Sequence, residues 1–472
     1  MNWMWRSDVP PLQGRGLARP RSGARSNRVA VPDRLTQGRL NLFQRTMLRW
    51  RELHPYNAVH VVRIPGLLDA GRLQDRIRHR LEGSGLTGFV LDSKRGRLRR
   101  GGGRAVVDLK ILEGGADASS LLWREIEVQL NTPFATDGEF SPLRFFAVDT
   151  GDSFRLGVVY DHFVGSGDSI ALLLQGIALL YIGTAMSDLP ALAQRLVPPP
   201  YRSLLWCHPW HVLGAVLRLP ESIVSSRRWH RPAFSREEGG HNAVAHFRLD
   251  RRAVARLRRS GKEWGVTLND LLLASLLLAL SPLAPEGSRS QRRRELAVAS
   301  IVNIRQDLPS SAADAFGPFL ASFQVSHPVP SGTSLRDLVA HVHAETARIK
   351  RKRLYLRSIA AMGASGLMWP LLSPEQRARF FAKNHPVWGG VSTLNVAAIW
   401  EHAREGGDPP WEYLRVISTG PACPLVLAVT QGKEELHVGV SFRTAVFSRE
   451  TIDELQAGFM RCIAELGGEP EK

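Results

Sequence analysis

Two long apolar stretches constrain this chain more than any other feature. Ser169–Met186 carries no charge over about 18 residues, the length that would span a bilayer, and Leu271–Leu283 is a shorter run of the same kind. Both follow polar, motif-like segments, and both contain small or polar residues (Gln175, Gly176 and Ser275). Buried core helices therefore explain them better than membrane spans. A chain of 472 residues is also too long for one ordinary core and suits two domains of about 200 residues each.

The two halves of the chain show a similar grammar of strands and helices, each with one of these apolar helices. In the first half, strands are expected over Asn57–Ile64, Ala105–Leu112, Leu143–Val148 and Phe154–Tyr160, with helices over Ala70–Leu81 and Ser119–Leu130. From Asp188 to about Asn242 the pattern weakens under Pro198-Pro199-Pro200, Pro209, Pro220, Pro232 and Gly239-Gly240, which reads as a connection with short helices. The grammar then repeats. Strands are expected over Ala243–Leu249, Leu296–Asn303, Phe319–Val325, Val391–Val396, Val416–Ser418, Leu425–Val429 and Leu436–Phe442. Helices are expected over Arg252–Trp264, Thr267–Leu280 with Thr267 as its cap, Ser334–Arg351 and Arg449–Leu466, closed by Gly467-Gly468. The expected organisation is a basic tail over 1–39, a first lobe over 40–187, a connection over 188–241 and a second lobe over 242–472. Strands alternating with helices place the fold in the mixed α/β (α+β) class.

Charge and cysteine usage limit function. The net charge is +18, and the first 39 residues alone hold eight arginines against two aspartates. Such a surplus attracts acidic partners: nucleic acid, anionic lipid or the phosphates of a carrier. The basic clusters Arg251–Arg259, Arg289–Arg294 and Arg348–Arg357 are not interleaved with aromatics, and no helix-turn-helix or zinc-finger pattern is visible, so specific nucleic-acid recognition is not expected. Cys207, Cys423 and Cys462 are far apart, which disfavours a disulfide framework or a metal site and suits a reducing compartment. The first residues lack the apolar core of a secretory signal. Their prolines and glycines favour a disordered tail or an over-long start over a transit peptide. A cytoplasmic location follows, with a peripheral membrane contact through Trp206 and Trp210 as an open alternative.

The most informative segment runs Val158-Val159-Tyr160-Asp161-His162-Phe163-Val164-Gly165-Ser166-Gly167-Asp168-Ser169. A histidine at the end of a buried strand, before a glycine-rich turn and a helix start, is held in one place and can take a proton near neutral pH. From these residues alone, the commoner role is a ring satisfied by backbone hydrogen bonds. His341 and His343 point to different faces of their helix, and His208 and His211 sit beside tryptophans, so neither pair is expected to bind a metal.

The segment resembles the His-His-x-x-x-Asp-Gly signature of the thioester-dependent acyltransferase superfamily that includes condensation domains and wax ester synthases. Aligned on the second histidine, the chain supplies Asp161, His162, Ser166 and Gly167. The second histidine and the glycine match; the first histidine and the aspartate are replaced. Four other segments resemble family features in the same order. They are Ser141-Pro142-Leu143-Arg144, Val266–Leu273 with its Thr-x-Asn-Asp helix start, Val302-Asn303-Ile304-Arg305 and Val391–Val396.

The resemblance implies two similar mixed-sheet lobes of the chloramphenicol acetyltransferase type with an active-site tunnel between them. It also implies an enzyme that holds no permanent cofactor and no metal. An acyl thioester, on coenzyme A or on the phosphopantetheine arm of an acyl carrier protein, would enter from one side, and a small alcohol or amine acceptor from the other. His162 would take the acceptor's proton as it attacks the carbonyl. Asn269, Asn303, Ser392 and Asn395 would line the tunnel. In the family the motif aspartate holds the loop through an arginine, here Arg305, so Asp168 or Asp161 is expected to stand in for it. The alternative implied by the altered signature is a two-lobe relative without catalysis, binding an acyl carrier or a lipid.

Overall fold

A computed structural model describes residues 37–466 apart from 102, 190–191, 193–199, 234–239, 285–292, 310–314, 331, 385 and 402–411. Residues 1–36 of the basic tail, Pro198 and Pro199, Gly239, most of the 289–294 cluster and the closing Gly467-Gly468 lie outside the described residues.

The strands are β1 (Gln37–Arg39), β2 (Asn57–Pro65), β3 (Phe89–Asp92), β4 (Arg97–Arg100), β5 (Leu109–Glu113), β6 (Glu139–Phe140), β7 (Leu143–Asp149) and β8 (Ser153–Asp161) in the first half. The second half supplies β9 (Asn242–Leu249), β10 (Leu296–Asn303), β11 (Leu320–His327), β12 (Gly389–Asn395), β13 (Tyr413–Ile417), β14 (Leu425–Gln431) and β15 (Leu436–Arg443). They form two principal mixed sheets, ordered β13-β2-β8-β7-β5 and β11-β10-β12-β14-β15-β9, plus a small sheet β1-β4-β3-β6. This is a two-lobe α/β architecture.

The first large sheet is covered on both faces. Even-numbered residues of β2 (Ala58, Val62, Ile64) join the core beneath helix Gly167–Tyr181, whereas Val59 and Val61 pack with Leu122, Ile126 and Leu130 of helix Ala118–Asn131. Period-2 alternation thus places His60 on the Gly167–Tyr181 side. In the second lobe, helix Leu268–Leu280 is buried around nearly its whole circumference. Thr267 caps it by accepting from the Asp270 amide at 3.3 Å. The apolar stretch Ser169–Met186 contributes a helix that starts two residues earlier and ends at Tyr181, with side chains such as Leu173, Leu174 and Ile177 buried. No single described helix is long and apolar enough to cross a membrane.

One strand departs from the order of the chain. The run expected at Val416–Ser418 is β13, and it pairs antiparallel with β2 (Val416 opposite Val59), so the second half supplies an edge strand to the first half's sheet. This brings β13 against β15, where a Cβ at Gly439 would overlap the carbonyl oxygen of Arg415. Gly439→Ala is expected to destabilise by roughly 2–3 kcal/mol, because a backbone oxygen cannot swing aside. Gly214 has nothing within 4 Å of an added Cβ, and Gly214→Ala should instead be neutral or stabilising by up to about 1 kcal/mol. Thermal unfolding of the two variants side by side checks the contrast; equal melting temperatures would show that the sheets are not so closely apposed.

Candidate functional site

His162 stands where the sequence puts it, one residue beyond the end of β8. Its amide donates to the Tyr56 carbonyl at 3.1 Å, which fixes the backbone just ahead of the turn. The ring stacks on Tyr56 at 5.4 Å between centroids and meets Tyr160 edge-on at 5.7 Å. Nδ1 lies 3.4 Å from the Gly165 carbonyl oxygen, a long hydrogen bond that places the proton on Nδ1 and leaves Nε2 as the basic nitrogen. Burial pushes the imidazole down to about 4, with the Arg415 cation adding to the effect, so the ring is neutral at pH 7. It is 6% exposed: in this conformation the site is nearly closed to bulk water. Cavities of about 350 and 340 Å³ lie elsewhere, one beside helix Arg449–Glu465 and the other beside β11.

The loop after His162 is latched from the other half of the chain. Asp168, in the first turn of helix Gly167–Tyr181, lies 3.2 Å from the Arg305 guanidinium and also accepts from the Ser166 hydroxyl and, at 2.9 Å, from the Ser169 amide. Arg305 sits just past β10, donates to the Ala315 carbonyl at 2.8 Å and covers the face of Phe319 at 4.2 Å. Of the two carboxylates offered as partners of Arg305, Asp168 is therefore the one that reaches it. Asp161 faces Arg51 instead, at 2.6 Å, and is buried. Desolvation raises its carboxyl to about 6 although Arg51 opposes the shift.

The polar residues expected to line a tunnel have local partners. Asn303 accepts from the Arg305 amide at 3.0 Å, and Asn395 accepts from the Ala398 amide at 3.0 Å, capping helix Val396–Glu401. Asn269 accepts from the Ser300 hydroxyl at 3.2 Å. Ser392 holds Arg415: its carbonyl accepts from that guanidinium, and its hydroxyl lies 3.4 Å away. His343 lies 2.9 Å from Asp270, and His208 lies 3.6 Å from Asp307. No group of three His, Cys, Asp or Glu side chains among the described residues could hold a metal ion.

Sequence reading missed a polar cluster behind the loop. His60, fully buried, has Nδ1 2.6 Å from the Tyr413 hydroxyl and Nε2 3.3 Å from the Tyr160 hydroxyl. Burial holds its pKa well below the ordinary imidazole value, helped by Arg415. Arg415 on β13 is itself buried, donates to the Val429 carbonyl at 3.1 Å, and remains a cation at neutral pH although burial lowers it to about 10. A Cβ at Gly167 would come within 3.3 Å of Arg415 and 3.7 Å of His60, so the motif glycine is where this cluster meets the His162 loop. The available signal was a histidine amid the apolar run Ala58–Val62, on the same parity as Ala58 and Val62.

This geometry is that of the condensation-domain fold, two lobes meeting at a histidine loop latched across the middle. The chain superimposes on the first condensation domain of the calcium-dependent antibiotic synthetase, in complex with a substrate analogue, with a TM-score of 0.65 at 17% identity, covering 92% of this chain and 98% of that one. The condensation domain of the Monacolin K polyketide synthase MokA matches with a TM-score of 0.62 at 13% identity, covering 91% and 97% of the two chains. A starter condensation domain of rhizomide synthetase, in complex with C8-CoA and Leu-SNAC, matches with a TM-score of 0.60 at 15% identity over 91% and 94%. No sequence-family model matches the chain, and no curated protein matches it. The chain thus shares the fold of these condensation domains.

Proposed function

We propose that the protein transfers an acyl group from a thioester to an alcohol or amine acceptor, with His162 as the base. The observation that carries this reading is the imidazole itself: neutral, fixed through Nδ1, and set in a loop that Arg305 latches from the opposite lobe. Direct transfer needs no covalent acyl-enzyme. Nε2 takes the acceptor's proton as the oxygen or nitrogen attacks the thioester carbonyl, and the tetrahedral adduct collapses with loss of thiolate. The occurrence of C8-CoA with one structural neighbour supports a coenzyme A or phosphopantetheine donor. A cytoplasmic enzyme served by an acyl carrier protein suits the same chemistry. Because the ring is nearly closed off, substrate access requires the lobes or Tyr56 to move, an opening on the microsecond-to-millisecond scale typical of lids.

The test is release of free thiol from acyl-coenzyme A in the presence of a panel of primary alcohols and amines. Acceptor-dependent release supports the reading. A protein that binds the thioester but never turns over any acceptor would instead be the non-catalytic relative, to which the closed ring also conforms.

The pH dependence follows from the ring. Its pKa is lowered, so the basic form persists as pH falls and is lost only near pH 4. The acid limb of kcat/KM is therefore expected well below the ordinary imidazole value of about 6.5. A limb at 6.5 or above would show that the base is some other, solvated group.

A further inference from the structure

The connection between the lobes carries an apolar surface that the catalytic reading does not use. Helices Ser203–Cys207, Pro209–Leu217 and Leu219–Ser226 follow one another, and Pro209–Leu217 packs beside helix Leu356–Met368. Helices of a water-soluble domain turn large apolar side chains inward. These turn them outward. Trp206 is 87% exposed, Trp210 81% and Leu217 70%, while Ala215 is buried beneath them. Trp210, Leu213 and Leu217 recur at the i, i+3, i+7 spacing of one helix face. On the neighbouring helix and the turn after it, Leu367 and Leu371 are 81% and 83% exposed. A cluster of this size is a binding surface rather than scatter.

The charge around it points to the partner. Between Pro200 and Arg231 the chain has five arginines and one acid, Glu221, which lies 4.0 Å from Arg357. Arg202, Arg218, Arg227 and Arg228 are all exposed. Pairing two copies through this face would bring like-charged rims together, because a two-fold contact apposes each patch to itself. An anionic bilayer satisfies both features: headgroups meet the arginines, tryptophans sit at the interface, and leucines enter the acyl layer.

We propose that this helical face docks the protein on the surface of an anionic lipid bilayer, lying on it rather than crossing it. The docked layer is tied to the His162 latch. His208, at the end of the first short helix, lies 3.6 Å from Asp307, which also faces Arg353 at 3.0 Å and accepts from the Tyr355 hydroxyl at 2.8 Å. Asp307 is two residues from Arg305, so the membrane-facing helices rest on the segment that holds the catalytic loop.

The experiment is co-sedimentation of the full chain with vesicles of phosphatidylcholine alone and of phosphatidylcholine with phosphatidylglycerol, at low and high salt. The wild-type chain should sediment with the anionic vesicles and be released by salt. Trp206→Ser with Trp210→Ser should weaken that binding roughly tenfold or more, since each tryptophan buries a large apolar area. Melting temperature and acceptor-dependent thiol release should be unchanged, because neither side chain supports the core. Arg218→Gln with Arg227→Gln should abolish the preference for anionic over neutral vesicles. Three results would overturn the proposal: wild-type protein that stays in the supernatant, tryptophan variants that bind as well as wild type, or tryptophan variants whose only change is from dimer to monomer in size-exclusion chromatography. The last would make the face a contact between two copies.

Discussion

Replacing His162 by alanine is expected to lower kcat by about 10²–10⁴-fold, the range a positioned general base contributes, with a much smaller change in KM. That range corresponds to roughly 2.7–5.5 kcal/mol of transition-state stabilisation. The asymmetry between kcat and KM matters because, under the proposed mechanism, the ring would meet the acceptor's proton only as the carbonyl is attacked and would add little to binding of the thioester. Alanine also removes a ring packed between Tyr56 and Tyr160, so some stability should be lost with the cavity. His162→Gln separates the two effects. It fills much of the same volume and offers a hydrogen-bonding amide but no base. Steady-state thiol release by both variants, alongside their melting temperatures, is the measurement. If glutamine and alanine are equally slow and glutamine melts like wild type, the missing base is the cause. An alanine variant within about threefold of wild type would remove His162 from the chemistry.

The parts of this molecule that could be seen in the sequence are those set by local pattern. The strand Leu296–Asn303 and the capped helix beginning after Thr267 emerge with the boundaries that periodicity and capping residues imply. Helix Leu42–Arg51 was not anticipated, because its arginines dilute the apolar face. Its signal was the Asn41/Gln44 capping box, in which each side chain satisfies the other's backbone amide. The destination of β13 could not be read, since Tyr413–Ile417 is apolar enough to enter either sheet and pairing between distant strands leaves no mark in one sequence. The same limit hid the site's second half. His60 and its partner Tyr413 are 353 residues apart in the chain, Arg415 lies further along the same strand as Tyr413, and what joins them is that β2 and β13 are neighbours in one sheet. By contrast, a nearby carboxylate replacing the motif aspartate as partner of Arg305 was legible as a choice between Asp168 and Asp161, and only the structure shows that Asp168 is the one in reach.

That replacement makes Asp168→Ala the variant with the largest expected cost in stability. The guanidinium of Arg305 and the carboxylate of Asp168 are mostly buried, with side-chain exposures of 17% and 15%. Charges at such depth have lost most of their hydration, and removing one partner of a buried pair costs about 3–5 kcal/mol because the other is then poorly compensated. Partial exposure places the expectation near the lower end, at roughly 3 kcal/mol. Asp168 also accepts from Ser166 and from the Ser169 amide, so the turn that carries His162 loosens as the helix start is lost. A fall in kcat should therefore accompany the fall in stability. Asp168→Leu combined with Arg305→Met tests whether the pair acts as a unit. Replacing both charges by apolar groups of similar volume is often nearly neutral, so the double variant should be more stable than either single one. Equilibrium unfolding of the four proteins gives the coupling directly. If the single variants unfold like wild type and the coupling falls below about 0.5 kcal/mol, the contact is a surface ion pair and the loop is held by something else.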